Sequence, residues 1–294
     1  MTHRQATGAL VTITVLWGVS IVAIKLLFSD LSPLAAVGFR FGIAGLILAP
    51  TLREVTRREL MAGLWMGVSF GLGVALQNVG LEITTPSRSA FIVTISALLT
   101  PALGAAVLRH RIPMTLVVKI LVAMVGVYFL TAPTGSLSDI NRGDWFTLVS
   151  AVLFAVQIVA IGHFALGSST VRILAIQFLA TSIIGLAGAT TLETVRFQLT
   201  PLAIGLLLFL IGNSILTFWL QIRAQRVVTA TEAALVFMFE PVVAAAMSYL
   251  VFGERLVAIQ WLGGAIIMVA VGWPRRRTAA LRETPSVRLP DGSP

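Results

Sequence analysis

Ten stretches of about twenty mostly apolar residues follow one another along this chain and constrain its fold more than any other feature. A helix that crosses the hydrocarbon of a bilayer needs about 20 such residues. None of the stretches shows the strict apolar–polar alternation of a membrane β-strand. We therefore predict an all-α integral membrane protein whose ten transmembrane helices, spans 1 to 10, cover residues 8–28, 33–51, 60–81, 89–108, 114–132, 144–163, 171–191, 200–222, 233–252 and 256–273.

The composition excludes most soluble and cofactor-dependent classes. Only 11% of the 294 residues are charged, against about a quarter in a typical soluble domain. The absence of cysteine excludes disulfides, iron–sulfur clusters and thiolate zinc sites. Neither Lys25 nor Lys119 follows a glycine, so no P-loop is present for ATP. We expect no enzyme activity, no cofactor, no metal and no use of ATP.

The distribution of arginine predicts the orientation in the membrane. With the N-terminus inside, 14 arginines lie in inner segments and 4 in outer loops, as the positive-inside rule requires. We expect a bacterial-type inner membrane location with both termini cytoplasmic, and a basic disordered tail over 274–294. The net charge of +9 then reflects orientation in the lipid bilayer, and we expect no nucleic-acid partner.

The two halves of the chain resemble each other in sequence. At one constant offset, Ile21–Ile24 aligns with Ile158–Ile161 and Arg40 with Gln177; at a second, slightly larger offset, Gln77 aligns with Gln221. One insertion near 193–200 accounts for the change of offset. The sequence predicts two five-helix repeats, 8–132 and 144–273. Because five is odd, the second repeat is inverted, an arrangement that places a site near mid-membrane and permits alternating access.

Several short motifs recur in one family of membrane proteins. They are Leu16-Trp17-Gly18, Phe39-Arg40-Phe41, Gln-Asn-Val-Gly-Leu at 77–81, Glu240-Pro241 and Gly253-Glu254-Arg255. On these the chain resembles the drug/metabolite transporter superfamily in its ten-span EamA-type form. The resemblance implies export of amino acids, other metabolites or toxic cations without ATP, and is closest to exporters of aromatic amino acids and paraquat. The first half departs from it, with Leu-Arg-His-Arg at 108–111 in place of Gly-Glu-Arg.

Uncharged polar residues within the spans are the first candidates for substrate binding. Amides and hydroxyls in a bilayer face either a cavity or another helix, and amides suit both the ammonium and the carboxylate of a zwitterion. The alternative for each is a helix–helix hydrogen bond, worth about 0.6 kcal/mol on average. The group consists of Ser20, Gln77, Asn78, Thr94, Ser96, Gln157 and Asn213.

Aromatic and charged residues complete the candidate site. Trp17 and Phe237 either stack on a substrate or pack in the core. Glu240 is a candidate for proton coupling or for contact with a substrate ammonium; the alternative is a structural carboxylate near Pro241. For Arg40 we favour a clamp between helices over a substrate carboxylate, and we expect Lys25 to extend to water.

Prolines and glycines indicate where helices bend or approach closely. Pro101 and Pro241 are hinge candidates in spans 4 and 9. Gly63, Gly67 and Gly71 lie on one face of span 3, which predicts close helix packing.

These features together predict a secondary transporter that exports small metabolites, with amino acids, including aromatic ones, as the leading substrate. The alternative is an exporter of cationic drugs such as paraquat, with proton coupling through Glu240. The sequence contains no nucleophile–base or metal pattern typical of an intramembrane enzyme.

Overall fold

The chain is almost entirely helical in the part that the computed structural model describes, residues 1–108, 113–131, 141–253 and 257–272. The predicted tail 274–294 and the segment 108–111 with its arginines lie wholly or largely outside these ranges, as does Glu254-Arg255. The helices are α1 (His3–Leu27), α2 (Pro33–Leu48), α3 (Arg57–Ile83), α4 (Pro86–Val93), α5 (Ile95–Leu108), α6 (Met114–Thr131), α7 (Arg142–Phe164), α8 (Thr170–Leu192), α9 (Pro201–Ala224), α10 (Ala230–Phe237), α11 (Glu240–Phe252) and α12 (Ala258–Gly272).

Within these ranges, eight helical segments are long and apolar enough to cross a membrane. They are α1, α2 with a 3-10 extension (Ala49–Glu54), α3, α4 with α5, α7, α8, α9, and α10 with α11; α6 and α12 are shorter apolar helices. These ten units fall on the ten predicted spans, so the all-α membrane fold is confirmed. Large apolar side chains such as Leu46, Leu208 and Leu250 are more than 60% exposed, which suits hydrocarbon surroundings.

Local sequence signals set the starts of the helices. Thr56 caps α3, because its hydroxyl accepts a hydrogen bond from the backbone N–H of Glu59 while the Glu59 carboxylate accepts one from the N–H of Thr56. Proline occupies the first helical position of α2, α4 and α9, where its missing N–H costs no helical hydrogen bond. The start of each of these spans is therefore encoded within a few residues.

Spans 4 and 9 are each interrupted near the middle. Thr94 separates α4 from α5, and Met238 and Phe239 separate α10 from α11. At both interruptions the backbone bonds join residues three apart, as from the N–H of Ala97 to the carbonyl of Thr94 at 2.9 Å.

The two predicted hinges lie differently with respect to these interruptions. Pro241 immediately follows the break in span 9 and lacks the N–H that would bond to the carbonyl of Phe237. Pro101 lies inside α5, well beyond Thr94. In span 4 the Thr94 hydroxyl instead donates to the carbonyl of Ala90 at 2.8 Å, a local bond of the kind that bends helices.

Helix starts recur at the two offsets found in the sequence. At the first offset, the start of α2 aligns with the start of α8. At the second offset, the starts of α3, α4 and α6 align with the starts of α9, α10 and α12. The short helices α4 and α10 have the same length. The interruption of a span is therefore repeated in both halves at an equivalent position.

Contacts between the halves follow the same correspondence. Helix α3 packs on α7 as α9 packs on α1, and α5 packs on α7 as α11 packs on α1. Helices α2 and α8, which correspond to each other, pack together, as do α6 and α12. Phe41 and Phe178 occupy equivalent positions, are fully buried and have ring centroids 5.3 Å apart. Equivalent helices of the two halves therefore pack against equivalent neighbours.

Glycine brings α2 and α8 into close contact. A Cβ atom on Gly185 would lie 2.6 Å from the backbone nitrogen of Gly38, and the Ser182 hydroxyl donates to the Gly38 carbonyl at 2.8 Å. Helix α3 approaches α8 in the same way, because a Cβ on Gly67 would lie 2.9 Å from the Gln177 carbonyl oxygen. Small residues thus allow three helices to pack backbone to backbone.

We predict that Gly185→Ala destabilises the fold, because the added methyl meets backbone atoms of α2 that cannot move independently. The expected cost is about 1–3 kcal/mol, measured as a lower melting temperature of the purified protein in detergent. Gly205→Ala is the matched control, since nothing lies within 4 Å of its Cβ position. Equal melting temperatures for the two variants would contradict the close α2–α8 contact.

Candidate functional site

A cavity with an empty volume of about 870 Å³, part of it open to the surroundings, lies between the two halves. Its wall is built by α1, α2, α3, α4 and α5 from the first half and by α7, α9, α10 and α11 from the second. Both helix interruptions contribute to it, through Thr94 and Met238.

The structure brings the predicted site residues together. Nine of the ten line this cavity: Trp17, Ser20, Gln77, Asn78, Thr94, Ser96, Gln157, Phe237 and Glu240. The tenth, Asn213, is 5% exposed and donates a hydrogen bond from Nδ2 to the Ser20 hydroxyl. It therefore lies behind the wall and positions a residue of it. Whether these residues bind a substrate stays a prediction.

The polar side chains of the wall make only some of their possible hydrogen bonds within the protein. The Ser20 hydroxyl donates to the Leu16 carbonyl at 2.8 Å, and Asn78 Nδ2 to the Pro33 carbonyl at 3.3 Å. Gln157 Nε2 is buried and has no hydrogen-bond partner among the described residues. No described residue bonds to the Glu240 carboxylate. The wall thus retains both a donor and an acceptor.

Aromatic rings form one side of the cavity. The ring of Trp17 lies 4.9 Å from that of Phe237 and 5.8 Å from that of Phe218, between centroids. Its indole N–H donates to the Thr217 hydroxyl at 3.1 Å, which fixes the ring. Phe70 meets Phe218 edge to face at 4.6 Å. The cavity therefore has an aromatic side next to its polar groups.

Sequence reasoning did not assign some wall residues to the site. Arg40, interpreted there as a clamp, lines the cavity and also donates from Nε to the Ser214 hydroxyl at 2.7 Å. Its charge in mid-span was the available signal. Phe154 and Phe218 also line the wall, and nothing in sequence distinguishes them from phenylalanines of the core.

Arg88 and Glu232, at equivalent positions of the two halves, each contact a polar side chain of a neighbouring helix. Arg88, near the start of α4, pairs with Asp144 of α7 at 2.6 Å. Glu232, near the start of α10, aligns with Arg88 at the second sequence offset and is 3.7 Å from His3 of α1. Each interrupted span thus contacts a neighbouring helix through a charged residue in its first turn, and that residue is basic in span 4 and acidic in span 9.

Lys25 closes a helix end next to the cavity. Its ammonium donates to the carbonyls of Leu81, Glu82 and Thr84 at 2.7, 2.9 and 3.0 Å. Carbonyls at a helix C-terminus lack helical partners and attract a cation. The sequence predicted that Lys25 extends to water; the structure shows it bonded to the end of α3.

Comparisons with known proteins agree with this architecture. A model of the EamA-like transporter family matches residues 6–132 and again 141–273. An uncharacterized transporter of Archaeoglobus fulgidus is 28% identical over 263 residues, 89% of this chain and 83% of that protein. A second uncharacterized transporter of this archaeon is 28% identical over 123 residues, 40% of this chain and 44% of its own length.

A solved crystal structure shares the fold. It superposes with a TM-score of 0.74 at 17% identity and covers 92% of this chain and 96% of its own. At that identity the likeness concerns the fold alone. The family model, however, matches nearly the whole chain in two stretches that divide it as the helices do. The chain belongs to the EamA-like transporter family, and it is a multi-pass membrane transporter.

Proposed function

We propose that this transporter exports small metabolites, amino acids including aromatic ones being the leading substrates, across a bacterial-type inner membrane by alternating access. The observation that carries the proposal is the cavity between the halves, where aromatic rings adjoin unused amide and charged groups. An aromatic amino acid presents the complementary surfaces: a flat apolar ring, an ammonium and a carboxylate.

Alternating access rests on the inverted repeat. Each contact of α1 with α9 and α11 is matched by a contact of α7 with α3 and α5. Five spans per half require opposite orientations in the membrane, so exchanging the conformations of the halves opens the cavity to the other side. The interruptions at Thr94 and Met238 lie at the cavity wall, where a change of helix direction alters access most directly.

A cationic drug such as paraquat is the second candidate, with protons as the driving ion. Glu240 supports it, because it is the one acidic side chain on the wall among the described residues and no described residue pairs with it. A carboxylate in apolar surroundings attracts either a proton or an organic cation. A flat dication also suits the aromatic side of the cavity.

Labelling of single cysteines tests the orientation, since the natural chain contains no cysteine. Glu54→Cys and Gln198→Cys both place a thiol at an exposed position. We expect a membrane-impermeant maleimide to label Gln198→Cys in intact cells and Glu54→Cys only after permeabilisation. Labelling of both variants in intact cells would contradict the inverted repeat.

Blocking the cavity tests whether it is the route of transport. Val74 of α3 lines the cavity, whereas Leu72 on the same helix is 43% exposed on the outer surface. We expect Val74→Trp to reduce flux of labelled substrate in proteoliposomes by about tenfold or more, because the indole occupies the space for a substrate. Leu72→Trp is the control and should transport normally. Equal flux through two folded variants would exclude this cavity as the route.

Proteoliposome uptake of labelled amino acids and paraquat, at several imposed pH gradients, tests the substrate and the coupling. We expect uptake of amino acids, aromatic ones best. If protons drive it through Glu240, Glu240→Gln loses the response to the gradient but still exchanges substrate across the membrane, while Glu54→Gln at an exposed position behaves as the natural protein. Uptake of no amino acid rejects the leading substrate, and uptake that ignores the gradient in the natural protein rejects proton coupling.

A further inference from the structure

The guanidinium of Arg40 is a buried charge with unused hydrogen-bonding capacity. Arg40 is 7% exposed and lines the cavity. Its Nε donates to Ser214, and this is the one hydrogen bond that the described residues provide for it. No described carboxylate lies within ion-pair distance of it. The two Nη groups are therefore free to bind a ligand in the cavity.

The surrounding residues hold the guanidinium in a fixed orientation. The Ser214 hydroxyl accepts from Arg40 Nε at 2.7 Å and donates to the Leu210 carbonyl at 2.7 Å. The ring of Phe41 lies 4.8 Å from Arg40 Cζ. Such a side chain loses little further freedom when it binds an anion through its two outer nitrogens. A simple clamp between helices would need the Ser214 bond alone and would not require a charge.

The charge is costly in an apolar wall unless it has a counter-ion. A buried ion without a partner costs several kcal/mol, and the equivalent position in the second half is the neutral Gln177, which does not line the cavity. Glu240 lies on the wall of the same cavity, more than 4.0 Å from Arg40. The cavity thus presents one positive and one negative group, from different halves, that do not pair with each other.

We propose that Arg40 binds the carboxylate of the substrate through its Nη groups and so selects amino acids and other carboxylates against carboxylate-free amines. This rests on the proposed function and narrows it, because a dication such as paraquat would leave Arg40 without a counter-ion. A planar carboxylate matches the guanidinium fork in a way that a carbonyl or hydroxyl does not. Arg40 is then a residue that determines specificity, and Ser214 a positioning residue.

Paired substrates test this in proteoliposomes. We expect the natural protein to prefer L-phenylalanine to phenethylamine, which lacks the carboxylate. We expect Arg40→Gln to lower kcat/KM for phenylalanine by about tenfold or more without lowering it for phenethylamine. Arg40→Lys keeps the charge but not the fork and should recover part of the preference. Ser214→Ala should raise KM for phenylalanine more than it lowers kcat. Arg53→Gln, at an exposed position, is the control.

Each outcome decides one of the two proposals. An unchanged phenylalanine-to-phenethylamine ratio in folded Arg40→Gln overturns the role of Arg40 and leaves amino-acid transport standing. If the natural protein moves phenethylamine or paraquat but no carboxylate, the role of Arg40 is overturned while the cavity remains a transport route. If the natural protein transports none of the probes, the proposed substrates and the role of Arg40 are both rejected. Should Arg40→Gln not fold, the ratio in the natural protein and in Ser214→Ala decides.

Discussion

The structure depends on the requirement that every buried backbone group in a bilayer be bonded within the protein. Among the described residues, ten apolar helical units satisfy this requirement. The interruptions of spans 4 and 9 lie inside the protein rather than against lipid. The interruptions at Thr94 and Met238 lie on the cavity wall, where bonds between residues three apart satisfy most of the backbone. The same requirement directs polar side chains inward. The lipid surroundings of the helices therefore favour an internal cavity with polar groups on its wall.

The two halves share their helix arrangement but carry different polar residues at equivalent positions. Arg40 and Gln77 line the cavity, whereas the equivalent Gln177 and Gln221 are fully buried, with no hydrogen-bond partner among the described residues for either side-chain amide. An unpartnered buried amide costs about 1–3 kcal/mol. For Gln177, close packing of α8 against α2 and α3 must offset that cost. The halves thus keep equivalent helix contacts and differ at positions that line the cavity in the first half.

Sequence was sufficient for the all-α membrane fold because its signal, the apolar length of each span, is local. It was also sufficient to predict most polar residues of the wall, Ser20, Gln77 and Gln157 among them, because a polar side chain in a bilayer faces either a cavity or another helix. It could not place the break at Thr94, where a hydroxyl rather than a proline redirects the backbone. Nor could it predict that Lys25 bonds to the end of α3, because the two are distant along the chain.

The opposite charges on the cavity wall bear on how one scaffold serves different substrates. Residues such as Gly38 and Gly185 face another backbone across the halves, so any larger side chain displaces a helix. Arg40 and Glu240 face the cavity instead. Arg40 makes one hydrogen bond across the halves among the described residues, to Ser214, and no described residue bonds to the Glu240 carboxylate. On the proposal that Arg40 binds a substrate carboxylate, its replacement would favour cations over zwitterions. On that proposal, specificity depends on charges that lie apart from the close glycine contacts between the helices.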